Sequence, residues 1–123
     1  MEDQTLLLRQ VHPDFFQEGN LLSLAFRPSA KDEGLLSVYD GDQIEPEPSW
    51  KHYTGALGYQ SCGVWAVSVA EAGACELEAR GDPQPFPAHA VIDFTRYDKK
   101  QQRAKSKLLA AIAQERGCLY KTE

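Results

Sequence analysis

Arg27, Lys31, Asp32 and Ser37 stand close together in FRPSAKDEGLLS. Two cations, a carboxylate and a hydroxyl at that density can grip a phosphate and orient a polar substrate, or can form a charged recognition surface. His89 stands where a proline-rich stretch, GDPQPFPAH, runs into the apolar HAVIDF. Its nearest carboxylate downstream, Asp93, would lie about 13 Å away along an extended strand. A His–carboxylate dyad would therefore need Asp32 or Asp42 from elsewhere in the chain; otherwise His89 bonds loop backbone and Asp93 helps cap the next helix. Cys62 could act as a thiol nucleophile with His52 or His89, but SCGVW carries no flanking pattern of a cysteine enzyme. The three cysteines, Cys62, Cys75 and Cys118, are odd in number and lack a C-x-x-C pair. They read as small buried or half-buried thiols, not as a disulfide framework or a zinc site. Asp40-Gly41-Asp42, followed by Glu45 and Glu47, has the oxygen chemistry of a hard-cation loop. The glycine stands at the wrong offset for an EF-hand, and Asp and Gly also make ordinary turns, so no metal is expected.

A second pattern is one of order. An arginine at the end of one apolar run (Arg27), hydroxyls in the next (Ser37, Tyr39) and E-L-E at 76–78 succeed one another along the chain. This order resembles that of ADP-ribosyltransferase folds. The resemblance implies a cation holding a dinucleotide phosphate, a hydroxyl orienting the ribose, and a carboxylate, here Glu78, stabilising an oxocarbenium ion. It covers less than half of the chain and lacks the S-T-S run. The chain has no G-x-G-x-x-G and no G-x-x-x-x-G-K-[ST], and it lacks H-E-x-x-H and G-x-S-x-G. No cofactor is expected. The catalytic candidates are Arg27, Ser37, Glu78 and His89.

The elements that must position these groups can be read from apolar runs and breakers. TLLLRQV is a strand or a helical turn. LLSLAF and LLSVY are strand-length, and a hairpin joining them would have the polar loop 27–34, longer than the usual two to five residues. DGDQIEPEPS reads as a linker, followed by a short helix over PSWKHYTGALG capped by Ser49 and ended by Gly58. GVWAVSV is the strongest strand, rich in β-branched and aromatic residues, and apolar on both faces as a central strand is. GDPQPFPAH is an extended loop, and HAVIDF a buried strand. Residues 96–116 read as an amphipathic helix, with Thr95 and Asp98 as a capping pair and Gly117 as its stop; CLYK is a last short strand. The absence of a regular βαβ rhythm places the chain in the α+β class. The expectation is one compact domain over residues 1–123, with a small mixed or antiparallel sheet packed against the long C-terminal helix and the short middle helix. The core is expected to rest on Trp65, Val67, Val91, Ile92, Phe94, Leu108 and Ile112. At 123 residues, such a core can stand without metals or disulfides.

Charge is divided unevenly. Residues 1–95 carry five Lys/Arg against fifteen Asp/Glu, whereas residues 96–107 carry six basic residues and one acidic. At 100° per residue, Arg96, Lys99, Lys100, Arg103 and Lys107 form one stripe beside an apolar seam of Tyr97, Ala104, Leu108, Ala111 and Ile112. An acidic body disfavours duplex DNA; RNA through this helix stays possible, and an acidic protein partner suits the stripe. The start, MEDQTLLLRQ, reverses the charge order of a secretory signal. No apolar run approaches the roughly 18 residues of a membrane span. The expected location is cytoplasmic, without membrane contact; nothing in the residues indicates an oligomeric state. These features favour a small bacterial-type accessory, inhibitor or immunity-like protein that binds another macromolecule through Arg27, Lys31, Asp32 and the stripe. The alternative is a small enzyme or nucleotide-binding domain centred on Arg27, Ser37 and His89.

Overall fold

A computed structural model describes residues 1–122 of the chain. Strand β1 (Leu6–Val11) buries Leu7, Leu8, Gln10 and Val11, so both of its faces are covered. Strands β4 (Leu35–Asp40), β5 (Gly63–Ser68), β6 (Glu78–Gly81), β7 (His89–Asp93) and β8 (Tyr120–Lys121) join it in a six-stranded sheet of order β6-β7-β4-β1-β5-β8. Every pairing is antiparallel. A separate two-stranded ribbon pairs β2 (Phe16–Gln17) with β3 (Asn20–Leu21). Among the described residues three α-helices complete the fold: α1 (Pro46–Lys51), α2 (Val69–Ala74) and α3 (Lys99–Arg116). The result is a single compact α+β domain. Among the described residues no helix is long and apolar enough to cross a membrane.

The pleat divides the core into two layers. Leu7, Val11, Leu36, Val38, Trp65, Val67, Ala90 and Ile92 meet Phe26, Leu109, Ala110 and Ala113 on the α3 side. Leu8, Tyr39, Val64 and Ala66 face the other way, toward Ile44, Trp50, Tyr53, Phe86 and Tyr120. β5 is buried at every position, as its composition predicts, although only the short β8 separates it from the sheet edge.

Four local expectations change. LLSLAF is not a strand: Asn20–Leu21 ends the ribbon and Ser23–Phe26 forms a 3-10 turn whose Ala25 and Phe26 are buried. The predicted hairpin is therefore absent, and β4 pairs with β1 and β7 instead. Short Leu runs have no period to tell a strand from a turn, and here Phe26 is needed under α3. The middle helix starts at Pro46, inside the expected linker, because proline suits a first helical turn. Ser49 is buried within it instead of capping it: its hydroxyl donates to the Pro46 carbonyl and accepts from Gln10.

The third correction concerns α3. It begins at Lys99, with Asp98 as N-cap in a reciprocal box with Gln101. Arg96 and Tyr97 lie in the preceding turn, and Thr95 bonds Asp93. The fourth concerns its buried side, which is Ser106, Leu109, Ala110 and Ala113. Leu108, expected in the core, is 53% exposed, and Ala104 and Ala111 are exposed as well. The side turned to the sheet is thus an arc of small residues around Leu109, a different arc from that of Leu108. Trp65, Val67, Val91, Ile92 and Phe94 are buried as expected.

Candidate functional site

Antiparallel pairing of β1 and β4 matches Leu7 with Asp40 and Leu8 with Tyr39, then stops, although both strands continue. Arg9 fills the opening. Its Nε donates to the Ala25 carbonyl at 2.7 Å, at the 3-10 turn, and its Nη1 donates to the Ser37 carbonyl at 2.9 Å. These bonds replace the interrupted ladder and tie three segments together. Burial pushes the Arg9 guanidinium below the usual arginine value, against the opposite pull of Tyr53 and Asp32. Arginine keeps its charge regardless.

A cleft of about 530 Å³ opens at this split, lined by residues from both faces of the sheet. That volume is within the range of small-molecule sites, roughly 300–1,000 Å³. Its walls bring together Arg27, Lys31, Asp32, Ser37 and His89, all singled out by sequence, with Arg9, Tyr39, Tyr53, Tyr59 and Phe86. Three cations and one carboxylate line it within an otherwise acidic body. Asp32 accepts from the N–H and hydroxyl of Ser29, closing a capping box that fixes the Lys31 turn. Arg27 donates from Nη2 to Ser23 at 3.3 Å, and its buried Nε has no partner.

Aromatic rings form the rest of the wall. Phe86 lies 5.1 Å from Tyr39, 4.5 Å from His52 and 5.3 Å from His89 between ring centres. Tyr53 and Tyr59 pair at 5.2 Å. The Tyr39 hydroxyl meets His52 Nδ1 at 2.8 Å, and burial raises the phenol pKa of Tyr39 well above its usual value. Burial raises that of Tyr53 too, with Arg9 acting the other way.

Across the β4–β7 ladder, Tyr39 pairs with His89 and Ser37 with Val91, so the two side chains of Ser37 and His89 share one face as diagonal neighbours. His89 Nε2 is 3.1 Å from Ser37 Oγ, and His89 Nδ1 is 2.9 Å from the Asp82 carbonyl. The Asp82 carboxylate lies 3.6 Å from the same nitrogen. The partner of His89 is thus Asp82, not Asp32 or Asp42. Asp93 is engaged with Thr95 and Arg80.

No protein-family model, curated protein or solved structure matches the chain.

The remaining sequence candidates lie elsewhere. Glu78 is on edge strand β6, where it pairs with Arg80, and it lines a separate acidic hollow with Glu76 and Asp93. The carboxylate in the ADP-ribosyltransferase-like order therefore does not join Arg27 and Ser37. Asp40, Gly41 and Asp42 make a turn: Asp40 accepts from Asp42 N–H and Gln43, Asp42 accepts from Thr5, and Gly41 N–H bonds the Leu6 carbonyl. Among the described residues no group of His, Cys, Asp and Glu has metal-site geometry. Cys62 is outside the cleft, burial raises its thiol pKa, and His52 and His89 are both otherwise bonded. Lys99, Lys100, Arg103 and Lys107 are exposed on α3, and Arg96 precedes it. Sequence reasoning overlooked Arg9, although a charge inside LLLRQV was a usable signal. It also overlooked Asp82, which only the loop's return to β7 brings to His89.

Proposed function

We propose that this protein binds a small organic anion with a planar ring in the cleft between β1 and β4. The convergence of Arg9, Arg27, Lys31, Ser37 and His89 on one concavity carries this reading. Three cations attract an anionic group, and a low-dielectric, half-enclosed site strengthens the attraction. Phe86, Tyr53 and Tyr59 offer ring faces and edges against which a planar group can pack. Few convergent polar groups among aromatic walls is the usual make-up of a ligand site. The ligand class includes nucleotides, as in the nucleotide-binding alternative drawn from the sequence.

Thermal shift with phenyl phosphate, adenosine monophosphate and neutral adenosine tests the reading. A stabilising ligand raises the melting temperature in proportion to its occupancy. The two anions should raise it, adenosine should do so less, and Lys31→Glu should abolish the difference. No shift with either anion at millimolar concentration, or equal shifts for the charged and neutral ligands, would overturn it.

A second reading retains a macromolecular partner of the inhibitor- or immunity-like kind. Its support is that Lys99, Lys100, Arg103 and Lys107 are exposed and, among the described residues, form no ion pair with the acidic body. An acidic protein surface is the partner such a stripe suits.

A further inference from the structure

We infer that Ser37 and His89 are a nucleophile and its general base, acting on a carboxylic ester that carries an anionic group; that substrate class rests on the proposed anion-binding cleft. Ser37 is exposed on the cleft wall, so its oxygen can reach a bound molecule, whereas the His89 side chain is only 11% exposed. The Asp82 carbonyl can only accept a hydrogen bond, so the neutral imidazole carries its proton on Nδ1. Nε2 is then left with its lone pair toward Ser37, and the serine hydroxyl donates to it at 3.1 Å. This is the tautomer a base needs to take a proton from an attacking hydroxyl.

The pair is also held in place. Arg9 grips the Ser37 carbonyl, and β7 fixes the strand on its other side. Phe86 packs edge-on against His89, and the Asp82 carboxylate, 3.6 Å from Nδ1, favours the imidazolium that forms during attack. Arg9 and Asp82 are positioning residues; Ser37 and His89 touch the reacting atoms.

In the step this geometry allows, Ser37 Oγ forms a bond to the ester carbonyl carbon while its proton passes to His89 Nε2. The oxyanion that develops faces a cleft lined by Arg27 and Lys31. The carbon–oxygen bond to the leaving alcohol breaks, and His89 returns the proton to that alcohol. Water, activated by His89 in turn, releases the acyl group from Ser37 as a carboxylic acid. The sum is ester plus water giving acid plus alcohol, with no redox partner.

An alkyl fluorophosphonate tests the nucleophile directly, because it phosphonylates serines activated by a base and leaves ordinary serines unmodified. On the folded protein, peptide mapping should place one adduct on Ser37. His89→Asn should slow the labelling by about 100-fold or more, the scale of general-base assistance, while Cys62→Ser should leave it unchanged. Hydrolysis of 4-acetoxybenzoate against neutral phenyl acetate separates the two readings. A preference for the anionic ester, lost in Lys31→Glu, is expected. Labelling with no such preference would refute the anionic substrate and keep the nucleophile. Anion binding without any adduct, an adduct on another serine, or equally fast labelling of His89→Asn would overturn the inference and leave the binding reading standing.

Discussion

A guanidinium in the middle of an apolar strand is costly to bury unless its donors find oxygens. Arg9 finds them in two backbone carbonyls, Ala25 and Ser37, not in a carboxylate. The Ser37 carbonyl has no β1 neighbour because the β1–β4 ladder has already stopped, and the Ala25 carbonyl belongs to the 3-10 turn beside it. The arginine and the opening thus stabilise each other. Arg9→Met keeps much of the side-chain volume but leaves both acceptors without a donor. An unmet buried acceptor costs about 1–3 kcal/mol, reduced here because the Ala25 carbonyl is only part-buried and the Ser37 carbonyl is open to water. The expected loss is about 2–3 kcal/mol, read as a lower urea midpoint with an unchanged slope. A loss below about 0.5 kcal/mol would show that water replaces the guanidinium fully and that the split does not depend on it.

At the scale of elements, α3 is fastened to the sheet at its far end. Arg116 grips Glu71 of α2 through two nitrogens, at 2.6 and 3.1 Å, and also donates to the Ala66 carbonyl of β5. Glu71 further accepts from the Ser68 N–H at the cap of its own helix. Burial alone would raise the Glu71 pKa, but the bonds from Arg116 and Ser68 outweigh it and hold the carboxyl below its ordinary value. Asp93 behaves likewise, with burial acting upward and the bonds from Thr95 and Arg80 prevailing. A depressed folded-state value means that the unfolded chain takes up protons first as pH falls. The stability from these bonds is complete above the unfolded carboxyl values, about 4. It is lost as pH drops through and below the folded values. Melting temperature should therefore fall as pH drops below about 4.5. Glu71→Gln should flatten part of that fall and cost about 1 kcal/mol at neutral pH. Identical pH profiles for the two proteins would assign acid sensitivity to other groups.

Charge organises the whole molecule into an acidic body with two basic features, the cleft and the exposed stripe on α3. The stripe is unfavourable where it stands. Lys99, Lys100 and Arg103 repel one another and lie in the first turns of α3, where the helix dipole disfavours cations. With no ion-pair partner among the described residues, changing all three to Glu should leave stability equal or raise it by about 0.3–1 kcal/mol. If an acidic protein is the partner, the same variant should associate more slowly, with a weakened salt dependence. A clear drop in melting temperature would instead show that the stripe is held by long-range attraction to the protein's own acidic surface.

β4, β5 and β7 were legible in the sequence as apolar runs of strand length between breakers, and the body of α3 from its cap, its helix formers and its glycine stop, whereas β1 stayed open between a strand and a helical turn. Trp65 was recognisable as core because it lies in such an apolar run. α2 and the 3-10 turn Ser23–Phe26 were not, since six residues or fewer carry too little periodicity to name a structure. The buried face of α3 was misread because Leu108 and Leu109 are adjacent and equally apolar, so hydrophobicity alone did not tell which arc of the helix meets the sheet. Arg27, Lys31, Ser37 and His89 were chosen by type alone; their meeting depends on strand register. Ser37 and His89 are 52 positions apart, and a one-residue slip of β7 against β4 would turn His89 to the α3 side. Residue types and their local order determined which groups were available for chemistry. Only the tertiary structure decided that they share a cleft, because antiparallel pairing and the early end of the β1–β4 ladder are interactions between distant segments.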